Sequence, residues 1–301
     1  MGKDSRSTSL ANLPWQETGS RVSFWASISS PFIDSFAQRS LIWLLIDKEL
    51  RARYKGSALG ILWSLAKPIT QLLIYFVAIG EFLGASRSIP GFAIFVLIGL
   101  TAWSFFSDVA SQSSQAIIGN AGIIKKIHVP RIIFPLSVVG SSFVYFVIQF
   151  LVLGIAILIV GSLPEFPQFW LIFPSTTILI LFGTGTAYLI SSINVFIRDL
   201  QHLVDVALSI LFWLSPIVYS YKFVVQAIQS EFLLGLYLAN PISVAILGFQ
   251  RALWRDGTDD MANFPDHLIW RLGIMCLAGA VFVVLGQAVF KRFERNFAQE
   301  I

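Results

Sequence analysis

Residues 132–160 and 169–197 contain no charged side chain, and each run exceeds the ~20 residues that a helix needs to cross a bilayer. Nothing else in the chain constrains its fold as much. Inside hydrocarbon an unpaired peptide group costs several kcal/mol, so such runs cross as α-helices, which satisfy their backbone internally. Composition also excludes a large soluble core. Of the 301 residues 13% are charged and 56% are hydrophobic, whereas a soluble domain carries roughly a quarter charged. The fold class is therefore all-α and integral to a membrane.

Six spans are expected, at about 59–83, 91–111, 132–160, 169–197, 206–221 and 272–290. The first 30 residues are polar and mixed, with no apolar core beside a cleavage site, so the N-terminus is expected in the cytoplasm. The cytoplasmic segments then hold fifteen Lys and Arg against five outside, with Lys67 inside the first span. That positive-inside bias places both termini in the cytoplasm. It also accounts for the net charge of +4 without any nucleic acid. The fifth span is short, contains Pro216, and is followed by two apolar stretches at 223–236 and 241–254. Asn240-Pro241 has the form of a helix start, with Asn as cap and Pro in the first turn. A broken span followed by short apolar helices suggests re-entrant structure on the outer side, which is tolerated against protein or a water-filled path. The alternative is an ordinary outer loop with surface helices.

A basic amphipathic helix runs into the first span without a linker. Trp43, Ile46, Leu50 and Tyr54 recur at helical spacing as one apolar stripe, flanked by Asp47, Arg51 and Lys55 on one side and by Glu49 and Arg53 on the other. Such a helix lies in the membrane interface, its cations toward headgroups or water. Lys48, Arg51, Arg53, Lys55 and Lys67 thus form a basic collar suited to an anionic lipid or a soluble partner. Pro68 removes a backbone donor and should kink the first span. Lys67 beside it either snorkels back to the interface or faces a portal.

The loop at 119–135, GNAGIIKKIHVPRIIFP, is the second strong feature. Asn120 is expected to cap a short helix carrying Ile123, Ile124 and Ile127, which ends before Pro130. Isoleucines exposed on a cytoplasmic loop need a lipid or protein partner. Lys125, Lys126 and Arg131 also serve the positive-inside bias. Among the deep aromatics, Tyr75, Trp103, Phe212 and Trp213 either pack between helices or line a path, whereas Trp63, Trp170 and Trp270 sit at span ends as belts do.

Several classes of chemistry have no residues to carry them. The phosphate-cradling loop G-x-x-x-x-G-K-[ST] is absent, since the one Gly-Lys dipeptide is Gly2-Lys3. His128, His202 and His267 are scattered and lack metal-ligand spacing. No catalytic set, metal or cofactor is expected in this chain. A proton-coupled carrier needs titratable groups at mid-depth. Glu81 and Asp108 lie instead near span ends, so the driving energy is expected from elsewhere. The single cysteine, Cys276, reads as a packing residue.

Three separated patterns carry a family resemblance: DKELRARYKGSALGILWSLAKP at 47–68, NAGIIKKIHVPRIIFP at 120–135, and LSPIVYS at 214–220 with NPISVAILGFQRAL at 240–253. In these the chain resembles the membrane subunit of polysaccharide-exporting ABC transporters, the type-2 ABC permeases of O-antigen, teichoic-acid and galactan export. The likeness covers most of 36–297 and leaves 1–35 as a cytoplasmic tail. It implies a homodimer of six-span subunits in the bacterial plasma membrane, paired with two copies of a separate ATPase subunit that binds ATP and Mg. It further implies an interface helix at 37–54, a coupling helix at 120–130 that contacts the ATPase, and short outer gate helices after the fifth span. The implied substrate is a glycan on polyprenyl diphosphate. Its headgroup would meet the basic collar, and its sugars would pass Tyr75, Trp103, Phe212 and Trp213. Two rival readings are an exporter of the same architecture for a drug or small lipid, and a multispan enzyme of lipid-linked sugar synthesis.

Overall fold

The computed structural model describes residues 39–53, 63–126, 129–164, 166–258 and 260–300, and every regular element among them is helical. The expected tail at 1–35, together with Tyr54, Lys55 and Ile127, lies outside the described residues. Helix α1 spans Arg39–Arg53, and α2 spans Trp63–Tyr75 and continues as a π-helical stretch, Phe76–Phe82. Then follow α3 (Phe92–Ser113), α4 (Ile133–Val160), α5 (Ile172–Asn194) and α6 (Leu200–Trp213). Helices α7 (Tyr221–Ala227), α8 (Glu231–Leu238), α9 (Pro241–Leu253) and α10 (Leu268–Glu294) follow, and single helical turns lie at Ala85–Ser88, Ala121–Ile124 and Phe297–Glu300.

Among the described residues, four helical stretches are long and apolar enough to cross a membrane: Phe92–Ser113, Ile133–Val160, Pro167–Asn194 and Met261–Glu294. The α8–α9 pair, bent by 82°, makes a fifth if it counts as one broken span. Helix α6 is apolar but has 14 residues, a rise of about 21 Å against the ~30 Å of hydrocarbon. It runs from Leu200 to Trp213, earlier in the chain than the expected span at 206–221, and stops before Ser215-Pro216. The first span falls partly outside the described residues. Within it the helix runs on through Pro68, and the departure from α-geometry comes at Phe76.

Irregular backbone after α6 is satisfied by side chains, as burial requires. Gln250 donates to the Pro216 carbonyl at 2.7 Å, Ser243 to that of Leu214 at 3.2 Å, and Tyr219 to that of Trp213 at 2.7 Å. Asn240 caps α9 as expected, accepting from the Ile242 N–H at 3.0 Å. Val244, Ala245, Ile246 and Leu247 of α9 are fully buried, and the helix packs on α3 and α5. A surface helix would not be enclosed in this way. By contrast α8 leaves Phe232 and Leu236 exposed. The bundle closes where α5 meets α10: a Cβ on Gly286 would fall 2.8 Å from the Gly185 carbonyl oxygen, so glycine permits that approach.

Helix α1 packs along α4 with Leu45 and Ile46 buried and Trp43 exposed. Its polar anchor is Glu49, which accepts hydrogen bonds from Ser137 at 2.8 Å and Ser141 at 2.7 Å. Burial pushes the Glu49 carboxyl above its ordinary value, against the opposing pull of the two hydroxyls and Lys48. A folded-state pKa raised above the unfolded one stabilises the fold fully below about pH 4.5. That contribution is lost as pH rises through the folded value. Thermal unfolding in nanodiscs should therefore show the wild type losing more stability between pH 5 and pH 7.5 than Glu49→Gln. Equal losses would count against the buried carboxyl.

Candidate functional site

Two cavities of about 220 and 290 Å³ adjoin between α1, α2, α3, α4 and α6, and share Lys67, Gln71, Trp103, Ser107 and Asp108. The helical repeat explains how α2 lines them: Lys67, Gln71 and Tyr75 are spaced by four and share one face. On α3, Trp103, Ser107 and Ser111 do the same. Gln149 of α4 and Ser104 of α3 are hydrogen-bonded to each other beside the smaller cavity. A cleft with a polar wall in an otherwise apolar bundle is suited to a hydrated or polar cargo rather than to lipid tails.

Its charge is unevenly matched. The Arg53 guanidinium lies 3.5 Å from Asp108 and 4.5 Å from the centroid of the Tyr145 ring. Both charged side chains are part-buried, at 35% and 25% exposure, so the cation is held by a carboxylate and an aromatic face. Lys67 is exposed and forms no ion pair with any described residue. It supplies the uncompensated positive charge at the cleft.

The four sequence-predicted aromatics meet in the larger cavity. Tyr75 stacks on Phe212 at 5.8 Å, while Trp103 and Trp213 meet Phe212 edge-on at 5.6 and 5.5 Å. Trp103 and Phe212 are each 8% exposed, whereas Trp213 is 57% exposed. The first two are chiefly packing residues that show an edge to the cleft.

The collar is divided. Arg53 and Lys67 line the cleft, but Lys48 donates to the Asn120 side chain at 2.7 Å. Arg51 pairs with Asp47 at 2.8 Å on the surface. The cytoplasmic loop is a short 3-10 turn, Ile118–Asn120, followed by one helical turn, Ala121–Ile124. Asn120 is not the expected cap, because its side chain is turned to Lys48 and to the Ala116 carbonyl. Ile123 and Ile124 are half-buried against the cluster of Leu45, Ile117 and Ile132, while Lys125 and Lys126 are exposed. Arg131 turns to the end of α10: its backbone N–H meets the Glu294 carboxylate at 3.3 Å, and its guanidinium bonds the Glu294 carbonyl.

Sequence reasoning missed Gln71, Ser104, Ser107, Asp108 and Gln149 as cleft residues. Their signal was available. Ser104, Ser107, Asp108 and Ser111 recur at intervals of three and four in an apolar span, so they mark one polar face. No group of three or more His, Cys, Asp or Glu among the described residues could hold a metal ion.

Comparison with known proteins identifies the family. The profile of the ABC-2 type transporter family matches residues 40–254, which include α1, the cleft and α9. An O-antigen export system permease protein RfbA of Klebsiella pneumoniae is 29% identical over 259 residues, 86% of this chain and 94% of that protein. The protein of the same name from Myxococcus xanthus is 30% identical over 274 residues, 88% and 97% of the two chains. The polysialic acid transport protein KpsM of Escherichia coli is 22% identical over 182 residues, 60% of this chain and 70% of that one. A family match over well more than half the chain, with apolar helices long enough to cross a bilayer, leads to one assignment: the chain is a multi-pass membrane protein of the bacterial inner membrane and belongs to the ABC-2 type transporter family.

Proposed function

We propose that the chain is the channel-forming subunit of an ATP-driven exporter that moves a polysaccharide, linked to polyprenyl diphosphate, out of the cytoplasm. The observation that carries this reading is the cleft itself, with an uncompensated cation at Lys67, a guarded one at Arg53, and an aromatic cluster beside them. A diphosphate suits the cations, and rings that stack weakly suit a polymer that must slide. Names among the relatives, O-antigen export and polysialic acid transport, point to the same substrate class. Two copies would form the path, each crossing six times with both termini inside, and α7 to α9 would gate its outer end.

The nucleotide chemistry belongs in this reading to two copies of a separate ATPase, which bind ATP and Mg and dock on the 120–130 loop. Gly122 offers a clean probe of that contact, because a Cβ built there meets nothing within 4 Å. Gly122→Trp should leave the chain folded and inserted yet reduce co-purification of the ATPase at least several-fold. Undiminished co-purification with normal export would place the contact elsewhere.

The decisive test of the whole reading is depletion of the protein followed by chemical identification of what accumulates. A lipid-linked glycan retained on the cytoplasmic face is the expected result. Accumulation of a small lipid or drug with no retained glycan would replace it with the rival exporter.

A further inference from the structure

A second cavity, of about 400 Å³, lies between α1 and the α4, α5 and α10 side of the bundle, away from the cleft. Its lining is divided by depth. The contacts of α1 with α4 run in register, from Ile46 at Gly140 through Glu49 at Ser137 and Ser141 to Arg53 at Tyr145. The start of α1 therefore lies with the start of α4, at the Lys- and Arg-rich end of the bundle. Arg39 sits at that end of the cavity and is its one charged lining residue among those described. Lys291 follows one turn beyond the lining residue Gln287 on α10. Beyond Arg39 the walls are mostly apolar, with Ile42, Ile46, Leu136, Leu181 and Val283 beside Thr184, Tyr188 and Gln287, and no Asp or Glu among the described residues lines them. Gly140 lets Ile46 pack directly on α4 there, since a Cβ would clash with the Ile46 Cδ1.

From this we infer that the cavity seats one acyl chain of an anionic phospholipid of the inner leaflet, with its phosphate on Arg39. The occupant is an amphiphile because a single cation at one end and apolar side chains beyond it match a charged headgroup followed by a hydrocarbon tail. A seat of this kind holds α1 against the bundle through lipid as well as through Leu45 and Glu49. It makes the position of the basic helix sensitive to membrane charge. The inference rests on membrane residence and on the positive-inside orientation, and does not depend on which cargo the cleft takes.

Trp43, which lines the cavity and is 64% exposed, is a built-in reporter. The full chain is reconstituted in nanodiscs of phosphatidylglycerol or phosphatidylcholine with brominated acyl chains, and quenching of Trp43 is taken as the difference from Trp43→Phe. Phosphatidylglycerol is expected to quench Trp43 at several-fold lower mole fraction than phosphatidylcholine. Arg39→Gln, at an exposed position, should bring the two lipids to parity. Thr184→Leu, which adds volume to the cavity wall, should lower quenching by both. Equal quenching by the two lipids in the wild type would overturn the proposal, as would an unchanged preference in Arg39→Gln. So would displacement by stoichiometric polyprenyl diphosphate, which would make this a cargo site. A disulfide between two copies through Trp43→Cys would make it a protein interface instead. Should Thr184→Leu fail to fold, the Arg39 arm still decides.

Discussion

Lys67→Gln is expected to reduce polysaccharide export by about ten- to a hundred-fold while membrane insertion and yield stay normal. The magnitude follows from the charge-assisted hydrogen bonds, on the order of 1.5–3 kcal/mol, that an ammonium makes with a phosphate oxygen in a part-desolvated site. Of the collar cations that the structure describes, Lys48 is engaged by Asn120, Arg51 by Asp47 and Arg53 by Asp108. Lys67 has no such partner and carries the positive field of the cleft, so a single change there should be severe. The prediction has an opposite-signed companion. Asp108→Asn removes the carboxylate that holds Arg53 and should raise the affinity of the cleft for a diphosphate headgroup, partly restoring export in the Lys67→Gln background. Arg51→Gln, on a surface pair whose Arg is 79% exposed, should change export by less than about twofold, since solvent screens a pair of this kind. Export of radiolabelled glycan from inverted vesicles measures all three. Normal export by Lys67→Gln would reduce that lysine to a residue that snorkels to the interface.

How much of this was legible in the sequence depends on the range of the interaction. Hydrophobic runs found α3 and α4 within two residues at each end, because an uncharged apolar stretch has one way to satisfy its backbone in lipid. The Asn240-Pro241 cap was also legible, since it is settled within three residues. Asn120 looked the same and behaved otherwise: Lys48, 72 positions away, competes for its side chain. The apolar stretch at 223–236 was read as one helix but divides into α7 and α8, with Ile228, Gln229 and Ser230 between them. No Gly or Pro announces that break. The cleft divides along the same line. Its four expected aromatics come together in one cavity, yet Asp108 of the cleft, and Glu49 outside it, depend on Arg53, Ser137 and Ser141, tertiary partners that no local pattern encodes. Ile123 and Ile124 were expected to face outward and instead turn half inward, because a single helical turn leaves them within reach of Leu45 and Ile132.

Trp103 and Trp213 of the cleft should respond to truncation in opposite ways. Trp103 is 8% exposed and wedged among Phe106 and Phe212, at centroid distances of 6.3 and 5.6 Å. Trp103→Ala leaves a void that those neighbours only partly fill, at a cost of roughly 3–5 kcal/mol. It should lower the unfolding midpoint and the yield of folded protein, and any loss of export would follow from that. Trp213 is 57% exposed and meets Phe212 edge-on at 5.5 Å, its one ring contact among the described residues. Its truncation should cost about 1 kcal/mol of stability, the scale of one aromatic pair. If its free face is a stacking surface for passing sugars, Trp213→Ala should slow glycan export several-fold with yield and basal ATP hydrolysis near normal. Each sugar that crosses the site loses one weak contact, and a polymer crosses it many times. A labelling experiment separates this from a change in helix packing. In a Cys276→Ser background, Trp213→Cys should react with a membrane-impermeant aqueous thiol reagent in at least one nucleotide state, and saturating glycan substrate should protect it. A cysteine at 213 that stays unreactive in every nucleotide state would mean that the face is lipid-exposed, and would remove Trp213 from the path.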